Sequence, residues 1–346
     1  MKRVIVIGGG FAGSLVAKKL ERKFEVVLID AKDYFEFTPG ILRILSSPAH
    51  KDKIQAFHRD YLKNSEIVKG TVKSIDKKNV LVNNKKIPYD YLVICSGSRY
   101  AAPIKENNMV LADHVSNLEK KYRDILKSGR ILIIGGGLVG IELAGEIHDM
   151  NKNKEIIIIH AAPRLIERSP IKASEYARKF LEKRNVRIIF DEFFMGKEKG
   201  NYITDKKTKI KADLLFACTG IRANSEFMLK NFGDILNRRG QIVVDRHLHI
   251  IGTRNIFAAG DVNDTPVEKT AQNAKIQAHT VIKNIKMSEK GRKLRGYRAK
   301  VTPMLISLGK WDGLLVWKNF VMAGFFVGIL KRFVEFSNMA KYKKSL

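Results

Sequence analysis

Residues 4–30, VIVIGGGFAGSLVAKKLERKFEVVLID, decide how the rest of the chain is read. Val4-Ile5-Val6-Ile7 is an apolar, β-branched run that feeds a turn holding Gly8, Gly10 and Gly13. A helical run to about Phe24 follows, then a second buried-strand run, Glu25 to Ile29, ending on Asp30. Strand, GxGxxG turn, helix and strand, with an acid about twenty residues on, make up a dinucleotide-binding fingerprint. Each part has a physical task. Gly8 allows the tight turn, Gly10 lets backbone N–H groups approach a pyrophosphate, and Gly13 lets helix and strand pack closely. The helix N-terminus turns its positive dipole end toward the phosphates. Asp30, at the tip of the second strand, can accept hydrogen bonds from ribose hydroxyls.

The same pattern recurs over residues 130–160. Ile131 to Ile134 is the strand, Gly135, Gly137 and Gly140 form the turn, and Ile156 to Ile159 is the second strand. A lone glycine turn is weak; two in full context imply two nucleotides in one chain. The expected fold class is therefore α/β, with two Rossmann-like dinucleotide-binding domains. The second copy differs in its details. Its last strand ends on His160, and Arg164 and Arg168 follow within one or two turns. Without a carboxylate there, rejection of a 2′-phosphate is weak, so NADPH is expected beside NADH. The competing reading of those arginines is a solvated basic surface. Glu142 and Glu146, four apart, share one helix face. Glu142, in the first turn, is expected to point toward the ligand crevice, and Glu146 to be a solvated surface acid.

At 346 residues the chain can bury two cores and carry a tail. With 64 Lys and Arg against 35 Asp and Glu, the formal charge is +29, which suggests an anionic partner, nucleic acid or an anionic membrane surface. Much of it lies in scattered pairs such as Lys77-Lys78, Lys85-Lys86 and Lys120-Lys121, as a solvated surface would have. No aromatic-interleaved basic motif supports nucleic acid. Cys95 and Cys218 form neither CxxC nor CxxxxC, which leaves no local redox dithiol and no metal-ligand spacing; both read as buried small hydrophobes. No metal is expected. Met1-Lys2-Arg3 runs straight into the first strand with no signal peptide, so the chain reads as cytoplasmic.

After Asp30, Thr38-Pro39-Gly40 is expected to break the chain into a loop, with Tyr34, Phe35 and Phe37 packed behind it. Ser46 to Asn64 reads as helical. Ile67–Val72 and Val80–Ile87 read as short antiparallel strands with turns at Lys77–Asn79 and Asn83–Asn84. Tyr89 to Cys95 is a buried strand closing on the turn Ser96-Gly97-Ser98. Met109 to Ser128 reads as a connector and an amphipathic helix. Beyond the second fingerprint come a helix at Ala173–Arg184, a strand at Val186–Phe190, a hairpin in KKTKIK, a strand at Ala212–Thr219 closing on Gly220, and strands at Ile242–Val244 and Ile256–Ala259. Asp261, in AAGD, precedes a helix beginning near Lys269-Thr270-Ala271-Gln272. It is placed to hydrogen-bond a polyol hydroxyl, while the helix aims free N–H groups at a group that becomes negative, such as the N1–C2=O edge of a flavin. A helix-cap aspartate is the alternative.

Together GGGFAG, IDAKDYFEFTP, GTVKSID, YDYLVICSGS, GGGLVGIELAGE, ADLLFACTG, NIFAAGDVND and KTAQNAKIQA, over roughly residues 1 to 285, resemble the two-dinucleotide flavoprotein reductases. The likeness is greatest to type II NADH:quinone dehydrogenases and apoptosis-inducing-factor-like quinone reductases. That resemblance implies FAD at the first fingerprint, with Asp30 on the adenosine ribose, the backbone near Val72 at the adenine and Asp261 at the ribitol. It adds Ala31, Lys32, Thr38, Pro39, Ser96, Gly97, Thr270 and Ala271 to the FAD contacts. It implies NADH or NADPH at the second fingerprint, beside Glu142, His160, Arg164 and Gly220. Glu142, Gln272 and Lys269 take the catalytic positions. The type II enzymes carry two glutamines four apart in AQxAxQ; here Gln272 matches the first, but Ile276 takes the second place, with Gln277 one step on. Disulfide and sulfide chemistry would need paired cysteines, which this chain lacks.

The implied arrangement is an FAD domain in two parts, 1–110 and 241–300, with the NAD(P)H domain, 111–240, inserted between them, and a membrane-association segment at 301–346. Residues 283–346 hold 15 Lys and Arg against 3 acids. Within them Phe320–Leu330, FVMAGFFVGIL, reads as an apolar helix bordered by basic residues and by Trp311 and Trp317. It is too short to span a bilayer and suited to the interface of an anionic membrane; a core or homodimer helix is the alternative. The reading is thus a peripheral enzyme on the inner face of the cell membrane, passing hydride from NAD(P)H to FAD and two electrons on to a quinone. Rival readings on the same scaffold are an NAD(P)H oxidase, a reductase of a small redox protein, or a flavin-based redox sensor binding nucleic acid.

Overall fold

The hydrophobic strand runs pair as two separate parallel sheets, each five strands wide. The computed structural model describes residues 1–100, 109–111 and 114–343. In chain order the elements that build the sheets are β1 (Arg3–Ile7), α1 (Phe11–Leu20), β2 (Glu25–Asp30), β3 (Ser65–Lys69), β4 (Tyr91–Ile94), β5 (Met109–Leu111), α2 (Val115–Lys127), β6 (Arg130–Ile134), α3 (Leu138–Met150), β7 (Glu155–His160), α4 (Ile171–Glu182), β8 (Arg187–Phe190), β9 (Leu214–Ala217), β10 (Ile256–Ala258) and α5 (Ala271–Ser288). The first sheet runs β10-β4-β1-β2-β3 and the second β5-β9-β6-β7-β8. Both faces of each are covered, which is why β1, β4 and β6 carry unbroken aliphatic runs with Ile5, Leu92 and Leu132 fully buried.

The strand order reverses beside β1 and again beside β6. From β1 the chain crosses through α1 to β2 on one side, whereas β4 pairs on the other, Ile7 opposite Ile94. From β6 it crosses through α3 to β7, with β9 on the far side. Each glycine turn therefore sits at a switch point, where a crevice opens beyond the carboxyl ends of the strands. The first sheet is completed by β10, which follows the second sheet in sequence. The two chain crossings lie side by side, Ser98–Tyr100 antiparallel to Ile221–Ala223.

Several expectations need correcting. Residues 46–64 are not one helix: a 3-10 segment (Thr38–Leu45) runs into them, and short turns surround a strand, Gln55–Phe57, which pairs with Tyr34–Glu36. Pro48 interrupts helix propagation. Met109–Leu111 is a strand, pairing with β9, where a connector was expected. Ile242–Val244 makes only isolated bridges. The largest difference is in the tail. Met304–Leu308 (β11), Asp312–Trp317 (β12) and Phe320–Ala323 (β13) form an antiparallel sheet, and the helix α6 begins only at Phe325, running to Met339. The apolar run is split by Gly324 at φ 112°, a backbone conformation that favours glycine. The 201–210 hairpin and the turn at Asn83 and Asn84, both at positive φ, form as expected. Ile67–Val72, however, is not a strand of the antiparallel insert: Ile67 lies in β3, parallel to β2, and after Gly70 a separate strand, Val72–Ile75, pairs with Asn79–Val82, which pairs in turn with Lys85–Pro88.

Candidate functional site

The two glycine turns repeat one another in atomic detail. Gly8 and Gly135 lie at φ 94° and 106°. A side chain at Gly8 would strike the Cys95 carbonyl, and one at Gly135 the Cys218 carbonyl, because β4 and β9 end directly beneath them. A Cβ at Gly13 would overlap the Gly8 carbonyl oxygen, and one at Gly140 that of Gly135. Gly10 and Gly137 precede α1 and α3 with no side-chain cap, and a Cβ at either would meet nothing within 4 Å. Uncapped first-turn N–H groups facing open space are what a pyrophosphate needs. Both turns fit a dinucleotide.

At the first turn, Asp30 accepts a hydrogen bond from Gly9 N at 2.8 Å, and its other oxygen accepts from Lys32 N at 3.2 Å. His58 Nε2 lies 3.2 Å from the carboxylate and its Nδ1 2.6 Å from Tyr61 Oη. Burial acts to raise the Asp30 pKa, but the His58 and Lys32 hydrogen bonds outweigh it and hold the carboxyl below its usual range. Ala31 is exposed beside it. Lys32 turns its ammonium toward Glu36, 3.6 Å away, and His114. Phe11 packs edge-on against Phe35 and Phe37, so aromatics do stand behind the exposed Thr38 and Pro39, but these open the 3-10 segment Thr38–Leu45 where a loop was expected. Val72 is buried opposite Val82 in the 72–88 hairpin.

At the second turn His160 takes the place of the acid. Its Nδ1 accepts from Gly136 N at 3.1 Å, and its Nε2 lies 3.1 Å from the Arg164 carbonyl and 3.3 Å from Glu167. Arg164 is not free for a 2′-phosphate. Its guanidinium donates to the carbonyls of Ser169, at 2.8 Å, and Glu167. Arg168 is paired with Glu268. Gly220, at φ 99°, follows Cys218 and Thr219 beyond β9.

Between the turns, Asp261 is held by Ser98 Oγ at 3.0 Å, with burial raising its pKa against that bond and the charge of Lys269. Ser96 and Gly97 are tied to Asn224 where the chain crosses back. Thr270 caps α5 by accepting from Asn273 N, which places Ala271 as the first helical residue. Lys269 donates to the carbonyls of Asn263 and Thr265, so it braces the loop after Asp261, and burial lowers its pKa. Gln272 is exposed. Gln277 is buried instead, accepting from Gly260 N at 2.7 Å and Asn263 Nδ2 at 2.8 Å and donating to Thr265. The glutamine out of register thus holds the AAGD turn.

The tail reaches both turns. Glu142 on α3 accepts from Lys331 Nζ at 2.5 Å and from Ser307 N at 2.7 Å. Glu146 is not a solvated acid: its side chain is 1% exposed, bonded by Ser46 at 2.7 Å and 3.6 Å from Arg43, and burial raises its pKa. At the far end of α6, Tyr342 stacks on Phe35 at 4.0 Å and meets Ser14 Oγ of α1 at 3.1 Å. Lys331 and Tyr342 carried no sequence signal because their partners Glu142 and Ser14 lie far away in the chain, and His58 none because a lone histidine followed by a tyrosine three places on is no motif. Cys95 and Cys218 are buried thiols pushed up to about 12 by burial, each under its own turn. Among the described residues no group of acids, histidines and cysteines could hold a metal ion.

A family model described as pyridine nucleotide-disulphide oxidoreductase matches residues 2–278. The apoptosis-inducing factor homolog A of Dictyostelium discoideum is 34% identical, over 95% of this chain and 88% of its own length. The NDH2 of Plasmodium falciparum, solved in complex with NADH, is similar in fold at a TM-score of 0.85 and 16% identity, covering 98% of this chain and 94% of that one. The sulfide:quinone oxidoreductase of Aquifex aeolicus is similar at a TM-score of 0.84 and 20% identity, covering 97% and 90%.

Proposed function

This chain belongs to the pyridine nucleotide-disulphide oxidoreductase family, and from that premise we propose that it is an FAD-dependent NAD(P)H:quinone oxidoreductase working at an anionic membrane surface. It is a flavin-dependent oxidoreductase, with FAD and NAD(P)H as its cofactors. The observation that carries the reading is the pair of matching turns on two sheets, one closed by a carboxylate and one by an imidazole. Gly8, Gly10, Gly13, Asp30 and Asp261 would hold FAD, and Gly135, Gly137, Gly140 and His160 the nicotinamide nucleotide. When bound, flavin supplies a two-electron acceptor for hydride and a donor to quinone.

The protein's own part is to orient and exclude. The first-turn N–H groups of α1 and α3 neutralise pyrophosphate charge. Asp30, kept ionised by His58 and the Lys32 amide, accepts from ribose hydroxyls. Lys331 neutralises Glu142 inside the structure, where an unpaired carboxylate would be costly. Cys95 and Cys218 stand at the ends of strands in different sheets and stay protonated, so they offer no dithiol relay. That absence of a relay supports transfer straight from flavin to an external acceptor.

A membrane partner draws support from the tail. Trp311, Trp317, Phe320, Phe326, Phe333 and Phe336 are all about half exposed or more, on β12, β13 and α6 or the turns beside them. Arg332 lies over the Trp311 ring at 3.8 Å and Lys318 occupies the β12–β13 turn. Bulky apolar side chains edged by cations suit the interface of an anionic bilayer. No helix among the described residues is long and apolar enough to cross a membrane. The activity is tested by turnover of the yellow protein with NADH or NADPH and a soluble quinone; absence of quinone reduction with either rejects it. Phe326→Asp with Phe333→Asp should abolish flotation with anionic liposomes, and unchanged flotation removes the membrane face.

A further inference from the structure

A basin at the C-terminal end of α5 concentrates positive charge with nothing to balance it. Its lining is Lys283, Lys286, Met287, Lys290, Arg292 and Arg295, around a cavity of about 360 Å³. A helix C-terminus attracts cations through its free carbonyls, but here Met287 O and Ser288 O are taken by the amides of Lys290, Gly291 and Arg292 as the chain folds back. That return is fixed by Asn284, fully buried, which donates to the carbonyls of His247 and Arg295 at 3.0 and 2.9 Å and accepts from Arg295 N at 2.9 Å. Arg292 and Arg295 are thereby held opposite the lysines of the helix.

Among the described residues no acid lines the basin. Glu289, the carboxylate on the adjacent helical position, is turned to Tyr91 Oη at 2.7 Å and to Lys2 at 3.6 Å. Lys286, half-buried, donates to the Lys19 carbonyl at 3.2 Å, and its ammonium is driven below its usual pKa by burial and then by Lys23 and Lys19, both cations of the α1 end. The five lining cations form no salt bridge among the described residues. Charges crowded this way repel until an anion joins them.

From this placement we infer that the basin binds a multiply charged phosphate group, carried by a free polyphosphate or by a phosphorylated lipid headgroup. The volume is that of a small-molecule site, and guanidinium forks beside ammonium groups match phosphate oxygens. The site is separate from both glycine turns and does not rest on the quinone reading.

The test uses the FAD-loaded protein saturated with NAD⁺, so that both turns are filled, and titrates sodium tripolyphosphate by calorimetry. One saturable site is expected, weakened about tenfold or more in Arg292→Glu/Arg295→Glu and unchanged in Lys77→Glu/Lys78→Glu, which alters charge equally on an exposed hairpin. Flavin content reports that each variant is folded. Phosphatidylcholine vesicles carrying a polyphosphorylated inositol lipid are then compared with phosphatidylserine vesicles of equal charge. Preference for the former assigns the phosphate to a headgroup; tripolyphosphate binding without that preference assigns it to a free anion. Equal weakening in both variants, no tripolyphosphate binding, or binding of duplex DNA alone overturns the inference.

Discussion

The first glycine turn closes on a carboxylate and the second on an imidazole, on backbones that otherwise repeat each other. In both, the end of the second strand accepts the N–H of the middle glycine, Gly9 to Asp30 at 2.8 Å and Gly136 to His160 at 3.1 Å. What differs is the acceptor capacity left over. A carboxylate has about four lone-pair sites and Asp30 keeps some free for ribose hydroxyls. A ring nitrogen has one, and Nδ1 of His160 has already given it to Gly136; the proton then sits on Nε2, toward the Arg164 carbonyl. Asp30 thus keeps acceptor capacity at the first turn that the His160 ring does not have at the second.

The helices that follow the turns differ as well. The tail helix α6 reaches both: Lys331, midway along it, meets Glu142 on α3, and Tyr342, just beyond its C-terminus, meets Ser14 on α1. The contact midway along α6 is a buried ion pair, and the one just past its C-terminus is a neutral hydroxyl pair beneath a stacked ring.

The sharpest way to break the comparison is to block each turn. Gly13→Val should give protein without flavin colour. Gly140→Val should stay yellow and yield to dithionite, yet lose reduction by NADH on the order of a hundredfold or more; stopped-flow absorbance reads both. Next come the two contacts of the α6 segment. Lys331→Met strands Glu142 and should cost about 3–5 kcal/mol in denaturant unfolding, with much of it recovered in the Glu142→Met double variant. Tyr342→Phe, which removes one hydroxyl from Ser14, should cost only about 1 kcal/mol. Equal losses would mean that the two contacts are alike.

His160→Asp makes the second turn resemble the first. It should move the ratio of NADH to NADPH kcat/KM toward NADH by about tenfold, and an unchanged ratio would deny the imidazole its role. Asp30 gives a pH signature. Its folded pKa is lowered, so the stability it adds is present above the ordinary carboxylate range and is lost as pH falls through the native value. Acid unfolding monitored by flavin release should therefore be less steep in Asp30→Asn. The smallest effect concerns the thiols under the turns. With both pushed up to about 12 by burial, iodoacetamide at neutral pH should leave turnover of the native enzyme intact.

Much of this was legible in the sequence because its signals are local. Glycine spacing, the aliphatic runs before it and the residue ending each second strand lie within thirty residues of one another, so both turns could be read directly. The tail could not. Phe320–Leu330 shows its composition plainly, but Gly324 alone marks where strand gives way to helix, and β11 to β13 are short, mostly apolar strands that composition does not tell from helix. Glu146 read as solvated because its partners, Arg43 and Ser46, lie about a hundred residues earlier, where a loop and the start of a helix were expected. Gln277 looked one place out of register, and only the fold shows that its amide secures the AAGD turn. Contacts such as Glu142 with Lys331 span most of the chain, and no periodicity announces them.

The most direct test is an anaerobic titration of the yellow wild-type protein with NADH, and in parallel with NADPH, followed through flavin absorbance. The two-nucleotide account predicts stoichiometric bleaching by either nucleotide and restoration of the colour by quinone. Protein that binds flavin yet stays oxidised in excess of both nucleotides would contradict it.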